Sequence, residues 1–209
     1  MNYTELKTNI QDICEQTFTD EQLAMFTEQA EQGIYNSVQI PALRRNQTGV
    51  LTNADPYLIY PVDFLYPFSL AVIDAQGNYE YLLNKDVNFM REAYPNPTST
   101  GKPKHYGLFD DTAFIVGPSP DAAYTVELHY GYYPQTIVTA GTTWLGDEFD
   151  TALLNGALVQ AIRFMKGDAE MVALYQQMYI DAMSLLKNLG DGKMREDMYR
   201  SGQLRIEPR

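Results

Sequence analysis

Apolar residues near the start of the chain recur at helical spacing. Asn2 with Glu5 three residues later is a capping box, in which side chain and backbone at a helix start satisfy each other. Leu6, Ile10 and Ile13 follow on one stripe, with Cys14 one position on as a small core residue. Thr19 with Gln22 repeats the capping pattern, and Asp20 and Glu21 suit the positive end of a helix. Leu23, Phe26, Ala30 and Ile34 then carry a second helix to roughly Val38, and Pro41 ends it.

From about Thr48 to Pro134 the period changes from helical to alternating. Tyr57 to Tyr60, Phe68 to Ile73 and Tyr79 to Leu82 read as short strands, the last two separated by the turn Ala75-Gln76-Gly77-Asn78. Tyr106 to Phe109 and Ala113 to Val116 flank Asp110-Asp111 as a hairpin. The clearest strand follows the turn Gly117-Pro118-Ser119-Pro120-Asp121. Tyr124, Val126, Leu128 and Tyr130 point to one face, and Thr125, Glu127 and His129 to the other. Strands at this spacing predict an antiparallel sheet, sandwich or small barrel. A short helix fits Asp86 to Tyr94, and Asn96 to Lys104 reads as a loop.

Helical periodicity returns at Asp147. Leu153, Leu154, Ala157, Leu158, Ala161, Ile162 and Met165 form a broad apolar face. Gly167-Asp168 breaks the run, with Asp168 as the next N-cap. Met171, Leu174, Tyr175, Met178, Ala182, Leu185, Leu186 and Leu189 continue it to Gly190, read as a C-terminal cap. These two helices are expected to form an antiparallel hairpin packed on the first two. The fold class is therefore α+β: two N-terminal helices, an antiparallel β region, then two C-terminal helices. Residues 191–209 differ: Gly192, Gly202 and Pro208, mixed charge and few large apolar groups. Composition of this kind predicts an extended C-terminal arm that orders on a partner.

Charge and composition narrow the function. The net charge of −12 opposes general nucleic-acid binding, because it repels phosphate backbones, and also keeps the protein soluble. The arm itself is +1, which leaves −13 on the rest. The 16 tyrosines, against 9 phenylalanines and 1 tryptophan, suit a β-rich core and surfaces that become buried in an assembly. A single cysteine makes no internal disulfide and suits a reducing cytoplasm. The first residues have no signal-peptide pattern, and no run is apolar enough to span a membrane.

Candidate chemistry is sparse. His105 and His129 are the only histidines, and no Cys or carboxylate stands at metal-ligand spacing to them. Asp110-Asp111 sits on a tight turn, where adjacent carboxylates point apart, so it reads as turn chemistry and not as a glycosidase pair. Gly101-Lys102-Pro103 lacks the spacing of a phosphate loop. Neither a catalytic residue nor a cofactor or metal is expected.

Five motifs, in order, resemble the head-to-tail adaptor proteins of tailed bacteriophages, the connector or neck proteins. They are Pro61-Val62-Asp63-Phe64-Leu65 with the Ser69-Leu70 strand; Gly101-Lys102-Pro103-Lys104-His105-Tyr106; Pro118-Ser119-Pro120-Asp121 with the strand to Tyr130; Trp144-Leu145; and Leu153-Leu154-Asn155-Gly156-Ala157-Leu158. The resemblance covers roughly residues 1 to 190. It departs at Glu148-Phe149-Asp150-Thr151, where the family has a proline turn, and at Pro67.

The resemblance implies a helical bundle (1–45 and 147–190) with an inserted β-domain (46–140), a single adaptor domain over 1–190 and an arm over 191–209. It implies a ring of this chain, twelve copies, beneath the portal protein, joining capsid to tail. The partners would be the portal, the tail, nozzle or tail-tube proteins, and the chain itself. Genome DNA would pass through the channel without specific binding, and no membrane would be involved. The location would be the virion, after synthesis in the host cytoplasm. On this reading Met194, Arg195, Tyr199, Arg200, Leu204, Arg205 and Ile206 are the expected portal contacts. Tyr57, Tyr60, Tyr79 and Tyr81 are the expected contacts with neighbours or tail. Two other readings stay open: another neck or tail-tube component, and a tail-associated glycan-binding or hydrolytic domain.

Overall fold

The computed structural model describes residues 1–193. In chain order these form α1 (Tyr3–Cys14), α2 (Asp20–Ser37), a short 3-10 turn (Pro41–Leu43), β1 (Arg44–Leu51), β2 (Tyr57–Ile59), β3 (Phe64–Ile73), β4 (Tyr79–Tyr81) and β5 (Leu83–Asn84). Then come α3 (Val87–Ala93), β6 (Thr100–Gly101), β7 (His105–Leu108), β8 (Ala113–Gly117), β9 (Ser119–Pro120) and β10 (Tyr124–Tyr132). The chain closes with α4 (Ile137–Ala140), α5 (Trp144–Glu148), α6 (Asp150–Phe164) and α7 (Ala169–Lys193). The fold is α+β. It divides into two compact units: a helical unit built from residues 1–43 and the segment from Pro134 onward, and a β unit, Arg44–Tyr133.

In the helical unit, both N-terminal helices start with complete capping boxes. Asn2 and Glu5 exchange side-chain and backbone bonds, as do Thr19 and Gln22. Their apolar stripes, Leu6 and Ile10 of α1 and Leu23, Phe26, Ala30 and Ile34 of α2, meet Leu153, Ala157, Leu158 and Ala161 of α6 in one core. Ile13, on the expected stripe, is 41% exposed. Cys14, one residue further along α1, packs against that core instead. The amino group of Met1 donates to the Gly146 carbonyl at 2.6 Å and so ties the first residue to α5. A side chain at Gly146 would stand 2.4 Å from the Met1 carbonyl oxygen, so this close approach requires glycine.

The helix α7 departs from expectation twice. It runs through Gly190 instead of ending there. An added Cβ at Gly190 would lie 2.8 Å from Ile40 Cγ2 and 3.0 Å from the Gln39 carbonyl oxygen, so this glycine serves close packing and not capping. Ala182, Met183, Leu186 and Gly190 of α7 are buried, while Met171, Leu174, Met178, Leu185 and Leu189 are exposed.

The β unit contains two four-stranded sheets, ordered β1-β10-β3-β4 and β2-β8-β7-β5, and a two-stranded pair, β6-β9. The first sheet is antiparallel throughout. The second is mixed, because β5 runs parallel to β7. Leu51, Leu70, Val72, Val126, Leu128 and Tyr130 of the first sheet meet Leu58, Tyr106, Phe114 and Val116 of the second in a single core. The alternation expected of Tyr124–Tyr130 is the burial pattern of β10, which lies between β1 and β3. β1 begins at Arg44, earlier than the apolar pattern shows. Arg44 to Thr48 is wholly polar, and it is a strand because it pairs with Gly131 to Glu127 along the edge of the sheet.

Candidate assembly surfaces

The tyrosines singled out in the sequence divide by environment. Tyr60 turns inward: its ring is 4.3 Å from Phe64 and 5.0 Å from Phe114, and its hydroxyl donates to the Asp110 carbonyl at 2.6 Å. Tyr57 lies on Phe109 at 4.9 Å and accepts from Arg91 Nη2 at 3.1 Å. Both are engaged within the β unit. Tyr79 and Tyr81 are 50% and 65% exposed and share one face of the edge strand β4, two residues apart.

Strand register shows what joins that face. Tyr81 stands beside Ala71, Glu127 and Thr48 in turn across the sheet, and Tyr79 beside Ile73, Thr125 and Val50. Tyr79 donates to Glu127 Oε2 at 3.3 Å, and the nearby negative charge raises the Tyr79 pKa. Val50 is 62% exposed. The result is an outward sheet face with aromatic and aliphatic side chains along it. Val50 and Ile73 were not singled out from sequence, since they join the tyrosines only through long-range register. At the far end, Phe68 is stacked on His129 at 4.9 Å and covered by the Arg44 guanidinium at 4.2 Å.

A second surface lies on α7. Met171, Leu174, Met178, Leu185 and Leu189 are spaced by three, four, seven and four residues, which places them in one narrow sector of the helix. Contiguous exposed apolar surface is a feature of protein interaction sites. Met and Leu make it adaptable to an irregular partner. The expected portal contacts, Met194, Arg195, Tyr199, Arg200, Leu204, Arg205 and Ile206, lie outside the described residues.

The polar side chains with close partners in the β unit are structural in their geometry. Asp110 accepts from the Thr112 hydroxyl and from the Thr112 and Ala113 amides, which lowers its pKa and closes the β7–β8 turn. The buried Tyr130 hydroxyl donates to Asp63 Oδ1 at 3.0 Å, and Arg45 holds the other oxygen of Asp63 at 2.6 Å. His105 bonds Tyr94 through Nδ1 at 2.7 Å, and burial lowers its pKa. Among the described residues no group of three or more His, Cys, Asp or Glu is placed to hold a metal ion. No helix among them is long and apolar enough to cross a membrane.

The surface carries several open concavities, among them one of about 520 Å³ lined by Met1, Thr4, Glu5, Thr8, Asn9 and Asp150. One of about 240 Å³ lies among α2, α6 and α7, lined by Gln29, Gly33, Gln160, Arg163, Gln176 and Tyr179. Another, of about 140 Å³, opens between β1 and β2.

These surfaces suit a protein that joins other proteins. The whole length from residue 1 to residue 206 matches the SU10 adaptor protein family. The chain belongs to that family. It is thus a phage structural adaptor, a component of the virion, and adaptors are not an enzyme class. Portal and tail proteins are the kind of partner an adaptor joins, and oligomerisation is part of that role. No curated protein matches the chain.

Proposed function

We propose that twelve copies of this adaptor close into a ring beneath the portal and line the channel through which the genome leaves. The observation that carries this reading is family membership from residue 1 to residue 206, which includes all but the last three residues of the arm. A ring needs two different surfaces on each copy, because its contacts are head-to-tail and close by rotation. The α7 stripe and the outer β-sheet face are two such surfaces, on separate units. Twelve copies at −12 carry about −144, an acidic sleeve past which DNA slides without specific contact.

In this reading the adaptor body spans residues 1–190, with the β unit as its inserted part and residues 191–209 as the portal arm. Met194, Tyr199, Leu204 and Ile206 supply the arm's apolar contacts, and Arg195, Arg200 and Arg205 pair with portal carboxylates. Twelve weak arms acting together hold firmly. Tyr79 and Tyr81, with Tyr57 and Tyr60 of the same unit, serve contacts with neighbours or tail.

The test is to mix the full chain with its portal protein and measure the stoichiometry of the complex by sedimentation or native mass spectrometry. A twelve-copy complex is expected. A variant with Arg195, Arg200 and Arg205 all changed to Glu is expected to lose the complex while keeping its fold. No association of the unaltered chain with the portal would replace this reading with a lower neck or tail-tube component.

A further inference from the structure

The cleft of about 240 Å³ in the helical unit is made by helix spacing. Gln29 and Gly33 stand one turn apart on α2. Gly156, Gln160 and Arg163 follow one another along a single face of α6, and Gln176 and Tyr179 do so on α7. Two glycines shape it. A Cβ at Gly156 would stand 3.1 Å from Ala30 Cβ and 3.1 Å from Tyr179 Cε2, so the Tyr179 ring lies close over α6. Gly33 is different. A Cβ there would find the Tyr179 hydroxyl oxygen at 3.6 Å, an ordinary contact. Packing does not demand glycine at this position, and glycine inside a helix is unfavourable relative to alanine. Its consequence is open space beside the hydroxyl.

Donors gather around that space. The Tyr179 hydroxyl has no hydrogen-bond partner among the described residues. Arg163 donates from Nη2 to Gln176 Oε1 at 3.2 Å and forms no ion pair among the described residues. None of the residues lining the cleft is acidic, in a chain with 27 Asp and Glu against 15 Lys and Arg. One guanidinium matches one negative charge, and its planar fork takes a carboxylate through two parallel bonds. A phosphate would call for more positive charge. The volume falls below the ~300–1,000 Å³ of small-molecule sites, which suits a single protein side chain.

We propose that the cleft receives an Asp or Glu side chain of a second copy of this chain. Arg163 pairs with the carboxylate, and the Tyr179 hydroxyl donates to it. The acidic excess means that every copy offers such carboxylates. A contact between the cleft of one copy and a different surface of the next is head-to-tail, the kind that builds rings. This inference deepens the proposed function and rests on its ring. A pair enclosed in the cleft is screened by salt less than the repulsion between whole copies.

The test follows assembly of the full chain on its portal protein by sedimentation. Arg163→Gln is expected to raise the concentration needed for half-assembly about tenfold, because a hydrogen-bonded charge pair is lost. Tyr179→Phe is expected to weaken assembly with the melting temperature unchanged. Gly33→Ala gives the discriminating result. Its methyl group occupies the space beside the hydroxyl, so weaker assembly is expected together with a higher melting temperature from helix propensity. A merely structural role would move both quantities in the same direction. Full assembly of Arg163→Gln and Gly33→Ala at the unaltered concentration overturns the proposal and leaves the ring standing. A photoreactive side chain at Gln29, an exposed residue of the cleft, is expected to cross-link two copies. Cross-linking to the portal alone, or to neither, overturns the proposal. Failure of the unaltered chain to form any ring removes the proposed function, and this inference with it.

Discussion

Glu31 shows how a single residue holds distant parts of the helical unit together. It lies on α2, 2% exposed. Its carboxylate accepts from the Ile137 amide at 2.9 Å and from the Thr136 hydroxyl, so it caps α4 from across the core. Burial raises its pKa above the ordinary value of 4.5, against the lowering effect of those two bonds. The sign follows from proton binding. Between the ordinary value and the raised one the folded state holds more protons than the unfolded, so stability falls as pH rises through that window and is level above it. Glu31→Gln removes the titration and keeps the amide bond. The variant is expected to gain on the unaltered protein as pH is taken from about 4 to 8, measured by urea denaturation. Glu31→Ala leaves the buried Ile137 amide unpaired and is expected to cost about 1–3 kcal/mol near pH 4, and less as pH rises through the same window.

At the scale of elements, Gly190 supplies the sharpest test. Gly190→Ala would improve helix propensity, yet its methyl group meets Ile40 and the Gln39 carbonyl. A loss of about 1–3 kcal/mol is expected by thermal denaturation, where a solvent-facing glycine would give a gain. The capping boxes at Asn2 and Thr19 were legible in the sequence because their partners are three residues away. So was the turn at Asp110, and so was the alternation of β10. The role of Gly190 was not, since its neighbours are about 150 residues earlier in the chain. The α7 stripe was misread for a related reason. Periodicity shows that Met171, Leu174 and Leu185 share a face, but not whether another helix of the same molecule covers it.

For the whole molecule, acidity sets the conditions of assembly. Copies of charge −12 repel one another over roughly 10 Å at 0.1 M salt, and less as salt rises. Self-association of the full chain, measured by sedimentation, is therefore expected to strengthen between about 20 and 200 mM salt, provided apolar surfaces drive it. Binding through the arm's arginines is expected to weaken over the same range. The succession of helical and alternating texture made the α+β class legible. Of the residues on these surfaces, the sequence singles out Tyr79 and Tyr81 as contacts, without placing them on one face. Val50, Ile73 and the concavity beside Gly49 depend on which strands become neighbours, and that is settled by pairings such as Gly49 with Val126, which no local pattern encodes.

The first residue of β1, Arg44, is the register partner of Gly131 near the end of β10. The chain thus comes into the β unit and leaves it through adjacent backbones of one strand pair. An insert whose two ends lie side by side can be excised, and the gap it leaves closed by a short turn. Recombination between phages could exchange such a cassette whole, giving one helical platform a succession of differently shaped attachments.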